Sequence, residues 1–600
     1  MGRLPGMAYS SGITRSQQVQ FGGLRHHPNA GDGEIYDMEN MSARDYPLLR
    51  SRDKRRNGGE LVSATEMFFD NHAMWYVDED GWLWYKWALL NLSVAYVGTG
   101  ETKFVRFGDR IVLMPAKKLV QAKYTVKGKA DNPAALPTSA EKGTAYVINT
   151  NNDPQAPEWS LFVWTGDEWD SMGAWVVSME AELTATKITI SDGTIYGAAA
   201  TANTLTINSP ASADLAKAGF QVGDAVEIDG LTTEPDNNKI AIIREIGSKS
   251  IAFSDYCFKI PLSASGEKQT SYSETGTITL RRSVPDMDVC FEFENRLWGA
   301  DKKEIFASAL GDPTNFYVFD GLSTDSWYVE LQTRGEITGG IGWHYPTFFR
   351  EGYILRIYGA GATTFQTSEI LAPGVAHGMQ HSLGAAGGLL FYYSPQGMMA
   401  YDGDYPQDLQ QVFGPGEYSG GLAQSDGTDY YIQLTPNQDG PRLYHFDGLR
   451  GIWTVEDSPN IDSMALTEGA ETLLPSIIAM TTGKELTTLK GPGGPWAENK
   501  AAVESFVEFA DFTMESPNRK AVSKLLLRLS LMGASVTVKI QYDSSGTWKS
   551  VATLTAAGKR SYYLPVVPHR CDHFRLRIEA TGEWALHSLA IEYYVGSALH

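Results

Sequence analysis

The sequence predicts an all-β protein: a β-propeller body carrying inserted small β-barrel or sandwich modules and a C-terminal β-sandwich. Three observations lead there. An apolar, aromatic-rich strand–turn–strand unit recurs, imperfectly, from residue 73 to about residue 490. Glycine (60), tyrosine (29) and tryptophan (15) are abundant, as many turns and half-buried strand positions require. Helical periodicity is scarce, with DLAKAG (214–219) the one segment suited to a helical turn.

The recurring unit reads AMWYVDEDGWLWYKW (73–87), KFVRFGDRIVLMP (103–115), RLWGADKKEIFAS (296–308), PTFFREGYILRIYG (346–359), LLFYYSPQGMMAYDG (389–403), DYYIQLTPNQDGPRLYHFDG (429–448) and IIAMTTGKELTTL (477–489). An isolated hairpin buries too little apolar surface to be stable, so similar hairpins must pack on one another. Radial packing about an axis is the arrangement that protects most sheet edges. The propeller body is therefore assigned to 61–116 and 285–490.

Residues 1–60 are polar and poorly periodic, and read as an extended N-terminal arm lying on a surface of this chain or of a neighbour. Two excursions interrupt the body. Residues 117–178 form a small β module around the turn Thr165–Gly166–Asp167. Residues 179–284 alternate with period two (KITISDGTIYG, TLTINS, FQVGDAVEIDGLT) and predict a barrel or sandwich. GPGGPW (491–496) marks a linker over 491–498, and the regular strand spacing of 499–600 predicts the terminal sandwich.

The formal charge of −21 excludes a general nucleic-acid binder, which carries a basic field. Against that background RDYPLLRSRDKRR (44–56) stands out. Arg44, Arg50, Arg52, Lys54, Arg55 and Arg56 oppose only Asp45 and Asp53, which suits either a solvated loop or docking on an acidic neighbouring subunit. Cys257, Cys290 and Cys571 are too few and scattered for a disulfide framework or a zinc site. No apolar run is long enough to cross a bilayer, and the first residues lack a secretory core, so a soluble protein without an export signal is expected.

Motifs for chemistry fail on spacing. Asp543–Ser544–Ser545–Gly546 places its glycine one position too late for a sialidase Asp-box and reads as a hairpin turn. His377 and His381 have helical ligand spacing, but glycines surround them and no glutamate follows His377. Asp402, Asp404 and Asp408 read as turn chemistry, not a calcium loop, and Gly359–Ala360–Gly361 lacks the third glycine of a phosphate cradle. The acidic groups Asp78–Glu79–Asp80 and Asp167–Glu168 sit at turn tips, where nothing would raise one pKa. No catalytic, cofactor or metal residues are assigned, and the chain is read as a non-enzyme. Trp159, Trp164 and Trp169 could stack on sugar rings or form the core of their own module.

The run VPDMDVCFEFENRLWGADKKEIFASALGDPTNFYVFDGLSTDSW (284–327) is similar to tailed-bacteriophage tail stabilization or tail-hub proteins, including the propeller-bearing nozzles of short-tailed phages. The resemblance rests on Glu294–Asn295–Arg296–Leu297–Trp298–Gly299, Ala307–Ser308, Gly311–Asp312–Pro313, Asn315–Phe316 and Asp325–Ser326. It extends forward through the hairpins at 346–359 and 389–403, and back to FGGL (21–24) and EIYDMENMSARDYPLLRSR (34–52). The resemblance implies a structural virion protein of the tail, made in the host cytoplasm and forming a hub, nozzle or tip ring. It implies a homo-oligomeric ring, a hexamer, contacts with other tail or neck proteins, and passage of DNA without specific binding. The competing expectation is a tail protein that binds a host surface glycan through the inserts or the terminal sandwich.

Overall fold

The computed structural model describes residues 12–27, 30–70, 73–150, 157–193, 202–253, 257–437, 440–467, 476–490 and 502–595; the linker expected at 491–498 lies outside them. The chain is all-β, a propeller body with inserted modules and a terminal sandwich. It divides into two compact units, Asp70–Leu371 and Met1–Phe69 with Ala372–His600.

In the unit Asp70–Leu371, the first hairpin pairs Ala73–Asp78 with Trp82–Trp87 and continues into Leu90–Tyr96. Its turn closes because Asp78 Oδ1 accepts the amides of Asp80 and Trp82, while Gly81 takes a φ of +82°. A four-stranded sheet follows, with Lys103–Phe107, Arg110–Met114, Lys118–Gln121 and Val176–Ser178 in that order. The module boundaries expected at 117 and 178 therefore fall inside a propeller sheet. The excursion proper is a separate sheet of Val126–Ala130, Ala145–Ile148, Ser160–Trp164 and Trp169–Ala174. Trp175, which follows it, is buried edge-to-face against Trp75 and Tyr85 at 5.1 and 4.9 Å.

The second excursion is a closed six-stranded barrel, which resolves the barrel-or-sandwich alternative. Its strands Ala181–Gly193, Ala202–Ser209, Ala225–Asp229, Lys239–Ile246, Ser250–Phe253 and Ser271–Arg282 turn Ile188, Ile190, Leu205, Ile228, Ile251, Ile278 and Leu280 inward. Closure leaves no free edge. Two further four-stranded sheets complete the unit. One is Val289–Phe293, Arg296–Asp301, Glu304–Ala307 and Trp327–Glu330; the other is Gly339–Trp343, Tyr345–Arg350, Tyr353–Tyr358 and Gln366–Leu371. They share a core of Trp298, Ile305, Phe348, Leu355 and Ile357.

The other unit holds three four-stranded sheets of the body. The first is Gly384–Ala386, Leu389–Ser394, Gly397–Tyr401 and Gln407–Asp408, and the second is Tyr418–Ser425, Asp429–Pro436, Arg442–Asp447 and Ile452–Val455. Phe391, Phe446 and Trp453 pack between them with ring centroids 4.7–5.3 Å apart. The third sheet takes Ile461–Thr467, Ser476–Thr481 and Glu485–Lys490 from late in the chain and its fourth strand, Asn57–Glu60, from the N-terminal segment.

The terminal sandwich is built on two long antiparallel strands, Lys520–Tyr542 and Phe574–Val595. Each reads in the sequence as two shorter strands. Gly533 and Gly582, at φ of +78° and +101°, turn the chain at a bulge without ending the ladder. The shorter strands Glu504–Phe509, Lys549–Leu554, Gly558–Pro565 and Arg570–Cys571 pair along this frame. So does the N-terminal segment: Thr14–Gln18 and Leu49–Ser51 pair with Phe574–Val595, and Ile35–Glu39 with Glu504–Phe509. The extended arm thus lies on its own chain.

Candidate functional site: arm clamp, motif loop and charged cleft

Two sets of residues singled out by the sequence become hydrogen-bonded frameworks. The first locks the arm down. Phe21 and Leu24 are buried, and the Leu24 amide donates to the Trp453 carbonyl at 2.8 Å. Gly23 sits where any Cβ would strike that carbonyl, so FGGL is a close-approach motif. Asn40, at φ +55°, donates its amide nitrogen to Glu456 O (2.6 Å) and its Nδ2 to Glu504 O (2.8 Å), while Oδ1 accepts from Arg52 Nε at 2.6 Å. Arg442 Nη2 donates to Asp37 Oδ1 at 2.6 Å.

The arginine cluster is rearranged relative to a docking surface. Arg52 and Arg55 are buried and paired within the chain. Arg55 donates from Nη1 and Nη2 to both oxygens of Asp457 (2.7 and 2.6 Å) and from Nη2 to Glu456 Oε2 (2.6 Å). Burial works against the Arg55 charge, but Asp457 and Glu456 outweigh it and raise its pKa above the ordinary arginine value. Arg50 bridges Asp45 and Asp53, and Arg44 pairs with Asp53. Arg52 and Arg55 are therefore corrected from candidate subunit contacts to an internal clamp. The acidic neighbour they meet is more than 400 positions away in the same chain (|i−j| of 401 and 402 for Arg55), beyond the reach of any local pattern. Lys54 is half-exposed and Arg56 exposed.

The second framework holds the loop between Glu304–Ala307 and Trp327–Glu330. Glu294 and Asn295 both take positive φ (51° and 57°), the two-residue hairpin turn for which asparagine is suited. Arg296 is buried and donates to the carbonyls of Ser308 (2.7 Å), Asp325 (2.5 Å) and Ser323 (2.6 Å). Asp325 Oδ2 accepts the Gly321 and Leu322 amides, and Ser326 Oγ donates to Asn315 O. From this loop Asn315 reaches the inserted barrel: Oδ1 accepts the Ala225 amide (3.1 Å), and Nδ2 donates to Asp224 Oδ1 (3.1 Å) and Asp312 Oδ2 (2.7 Å). Asp224 in turn accepts from Arg282 Nη1 at 2.5 Å, and both side chains are almost wholly buried. Desolvation nevertheless raises the Asp224 carboxyl above its usual value, the Arg282 charge only partly opposing it.

Beside the arm clamp lies a cleft of about 410 Å³. Asp429, His445 and Tyr431 stand on its wall, with the His445 and Tyr431 rings stacked 4.3 Å apart. Burial pushes the Asp429 carboxyl up, but His445 and Lys490, whose Nζ is 2.7 Å away, hold it at about 2.

The remaining candidates resolve into structure. Trp164 is buried and Trp169 packs edge-to-face on it at 5.5 Å while donating Nε1 to Pro137 O; Trp169 also packs against the module's core of Ala130, Leu136, Ile148 and Phe162, and Trp164 offers no free face to a sugar. Trp159 is half-buried at φ +65°. Asp402 and Asp408 accept the amides of Asp404 and Gln410, ordinary turn bonds. Asp543, Asp572 and His573 cluster closely enough to suggest a cation site. Both His573 nitrogens are engaged, Nδ1 with Asp572 and Nε2 with Ser544 Oγ (2.7 Å each), and Asp543 accepts the Asp572 amide. Asp543 and Ser544, both at positive φ, make the hairpin turn expected there. Among the described residues no helix is long and apolar enough to cross a membrane.

No protein-family model and no curated protein matches the chain. Among solved structures it is similar to PorZ, an essential bacterial surface component of the type-IX secretion system of Porphyromonas gingivalis. The two share 11% identity at a TM-score of 0.22, over 89% of this chain and 77% of that one. It is also similar to phage phi92 endosialidase (9%, 0.24, 86% and 78%) and to BamB from Moraxella catarrhalis (11%, 0.23, 64% and 95%). At these scores the likenesses carry no argument about function.

Proposed function

We propose that the chain is a structural protein of a bacteriophage tail. It assembles as a homo-oligomeric ring, a hexamer in this reading, around the channel through which DNA leaves, and helps guide or gate ejection. One observation carries the reading: the residues that resemble tail-hub proteins are those that knit the molecule together. Asn40, Arg52 and Gly23 fasten the arm, while Arg296, Asn315 and Asp325 hold the motif loop against the barrel. Such investment in rigidity suits a load-bearing part more than a reactive cleft. The charge of −21 fits a lumen that weakly repels phosphate, so that DNA slides without sticking. Electron microscopy of intact tails tests the assembly, with symmetric rings around an axial lumen expected. A lumen lined mainly by lysine and arginine would contradict the sliding argument.

A second reading, glycan binding at the host surface, draws on the terminal sandwich. The row Glu39, Phe506, Glu579 and Thr537 runs across neighbouring strands. With Glu504, Ser535, Thr581 and Arg577 it lines a hollow of about 420 Å³. Carboxylates and hydroxyls there could accept from sugar hydroxyls. Arg577, however, covers one face of the Phe506 ring at 3.8 Å and is held there by bonds to Glu508 and Glu579, so a sugar could not stack on that face. Glycan-array binding by the full chain that is lost in Glu504→Ala would favour this reading over the ring.

A further inference from the structure

We propose that Ser544, His573 and Asp572 form an activated-serine site at one end of the terminal sandwich, and that Ser544 takes the acyl group of a carboxylic ester. This activity is additional to the structural role above and does not depend on it.

The fold brings the three groups together. Lys520–Tyr542 ends where Phe574–Val595 begins, with Tyr542 paired to Phe574, so the turn after one strand meets the segment before the other. The Asp543 amide donates to His573 O (3.2 Å) and the Asp572 amide to Asp543 Oδ1 (2.8 Å), which bolts the two segments to each other. Across that joint Ser544 Oγ lies 2.7 Å from His573 Nε2, and Asp572 Oδ1 lies 2.7 Å from His573 Nδ1. Both ring nitrogens are thus at hydrogen-bond distance from a partner of different chemistry.

Those partners fix the protons. A carboxylate only accepts, so the proton of the neutral ring sits on Nδ1 and Nε2 keeps its lone pair. The serine hydroxyl is then the donor to Nε2. Nucleophile, base and orienting carboxylate stand in the order that activates a serine. A second serine–histidine pair shows what is particular here. Ser530 Oγ and His587 Nε2 are 2.8 Å apart, but the charged neighbours of His587 are Lys559 and Arg528. Neither cation can hold a proton on Nδ1 as a carboxylate does. No sequence motif marks the site, because Ser544 and His573 are 29 positions apart.

The step is acyl transfer. Ser544 Oγ attacks the ester carbonyl carbon while its proton passes to His573 Nε2. The bond to the alkoxy oxygen breaks, and the leaving alcohol takes that proton. Water then attacks the acyl carbon and gives a proton to Nε2. The acyl–Oγ bond breaks, Oγ recovers the proton and the acid departs. Ser544 and His573 are the catalytic residues, and Asp572 is a positioning residue. Ser544 is exposed and the His573 side chain is 22% exposed, so an ester reaches Oγ from solvent. General-base assistance is worth about 10²–10⁴-fold, enough for an ester, whose alcohol leaves readily, and too little for an amide.

The test uses the full chain and two probes: a fluorophosphonate that labels activated serines, located by peptide mass spectrometry, and p-nitrophenyl acetate. The wild type is expected to be labelled at Ser544 and not at Ser530, and to release p-nitrophenol continuously. Ser544→Gly removes the hydroxyl and suits the φ of +48° at that position, so the turn is kept while both signals disappear. His573→Gln and Asp572→Asn should each slow labelling by about 100-fold. Nitrogen NMR of the histidine rings should show His573 protonated at Nδ1 in the wild type and that tautomer lost in Asp572→Asn, a signature that a merely structural aspartate would not move. An unlabelled wild type, labelling at Ser530 as fast as at Ser544, or an unchanged rate in His573→Gln overturns the site. An unchanged tautomer in Asp572→Asn overturns the role of Asp572, and one burst of p-nitrophenol without turnover overturns the hydrolytic half.

Discussion

Replacing Asn315 by alanine probes how the inserted barrel is held. Asn315 is 3% exposed and makes three side-chain hydrogen bonds, one of them accepting the buried amide of Ala225 in the barrel's third strand. Asp224 would keep its bonds from Arg282 and the Gln221 amide, and Asp312 its bond from Thr314. The loss therefore concentrates on the Ala225 N–H, left buried without an acceptor at a cost of about 1–3 kcal/mol, plus roughly 1 kcal/mol for the missing donor pair. A junction weaker by about 2–4 kcal/mol should speed hydrogen exchange at Ala225 by about 30- to 1,000-fold in native conditions. The barrel itself should survive, because its six strands close on one another and its core of Ile188, Leu205, Ile251 and Leu280 is internal. Exchange resolved by mass spectrometry or NMR, with far-UV circular dichroism as the folding control, reads both parts. Asn315→Asp should do worse at neutral pH, by setting a third carboxylate against Asp224 and Asp312, and should recover on acidification as one of them takes a proton. Unchanged exchange at Ala225 in the alanine variant, or a circular dichroism spectrum that collapses, would refute the reasoning.

Other consequences follow from the same contacts. Asp429, displaced from 3.8 to about 2, contributes stability that is present above pH ~4 and is lost as pH falls toward 2. Its share is about 2 kcal/mol. Lys490→Met, which removes one of the groups holding it down, should flatten the fall in urea midpoint between pH 4 and 2. Arg55→Met leaves Glu456 buried without its counter-charge and should cost about 3–5 kcal/mol, read as a lower melting temperature at pH 7. Arg296→Ala deletes three charge-assisted bonds to carbonyls, two of them buried, and should open residues 308–326 to limited proteolysis while leaving the hairpin at 346–359 protected. Removing residues 1–60 takes away Asn57–Glu60 and exposes the edge strand Glu485–Lys490, so the truncated chain should aggregate, as followed by light scattering.

The hairpins were legible in the sequence because burial on both faces writes long apolar runs. AMWYV, RLWGA, TFF and LLFYYS each became a central strand. Their outer companions were not legible. Gly384–Ala386 and Gln407–Asp408 are two or three residues long and pair through backbone alone, which any sequence can do. Asn57–Glu60, reading NGGE, is wholly exposed and carries no side-chain signal that separates it from the arm. Gly533 and Gly582 looked like strand ends, since positive φ usually marks a turn; here the long ladder persists through the bulge. Polar function was the hardest to see. The six basic residues of 44–56 suit a solvated loop or a docking element equally in sequence, but which of them are satisfied internally depends on Glu456 and Asp457, brought in by the fold. The cleft left beside them joins side chains from residue 42 to residue 490, and no local pattern encodes it.

The central claim is that copies of this chain form a ring about an axial channel. Cryo-electron microscopy of the purified full-length chain, and of intact tails carrying it, measures that directly. The account predicts closed rings with a continuous lumen, acidic on its inner wall and wide enough for duplex DNA. Isolated subunits in solution together with peripheral spikes on the tail would contradict it.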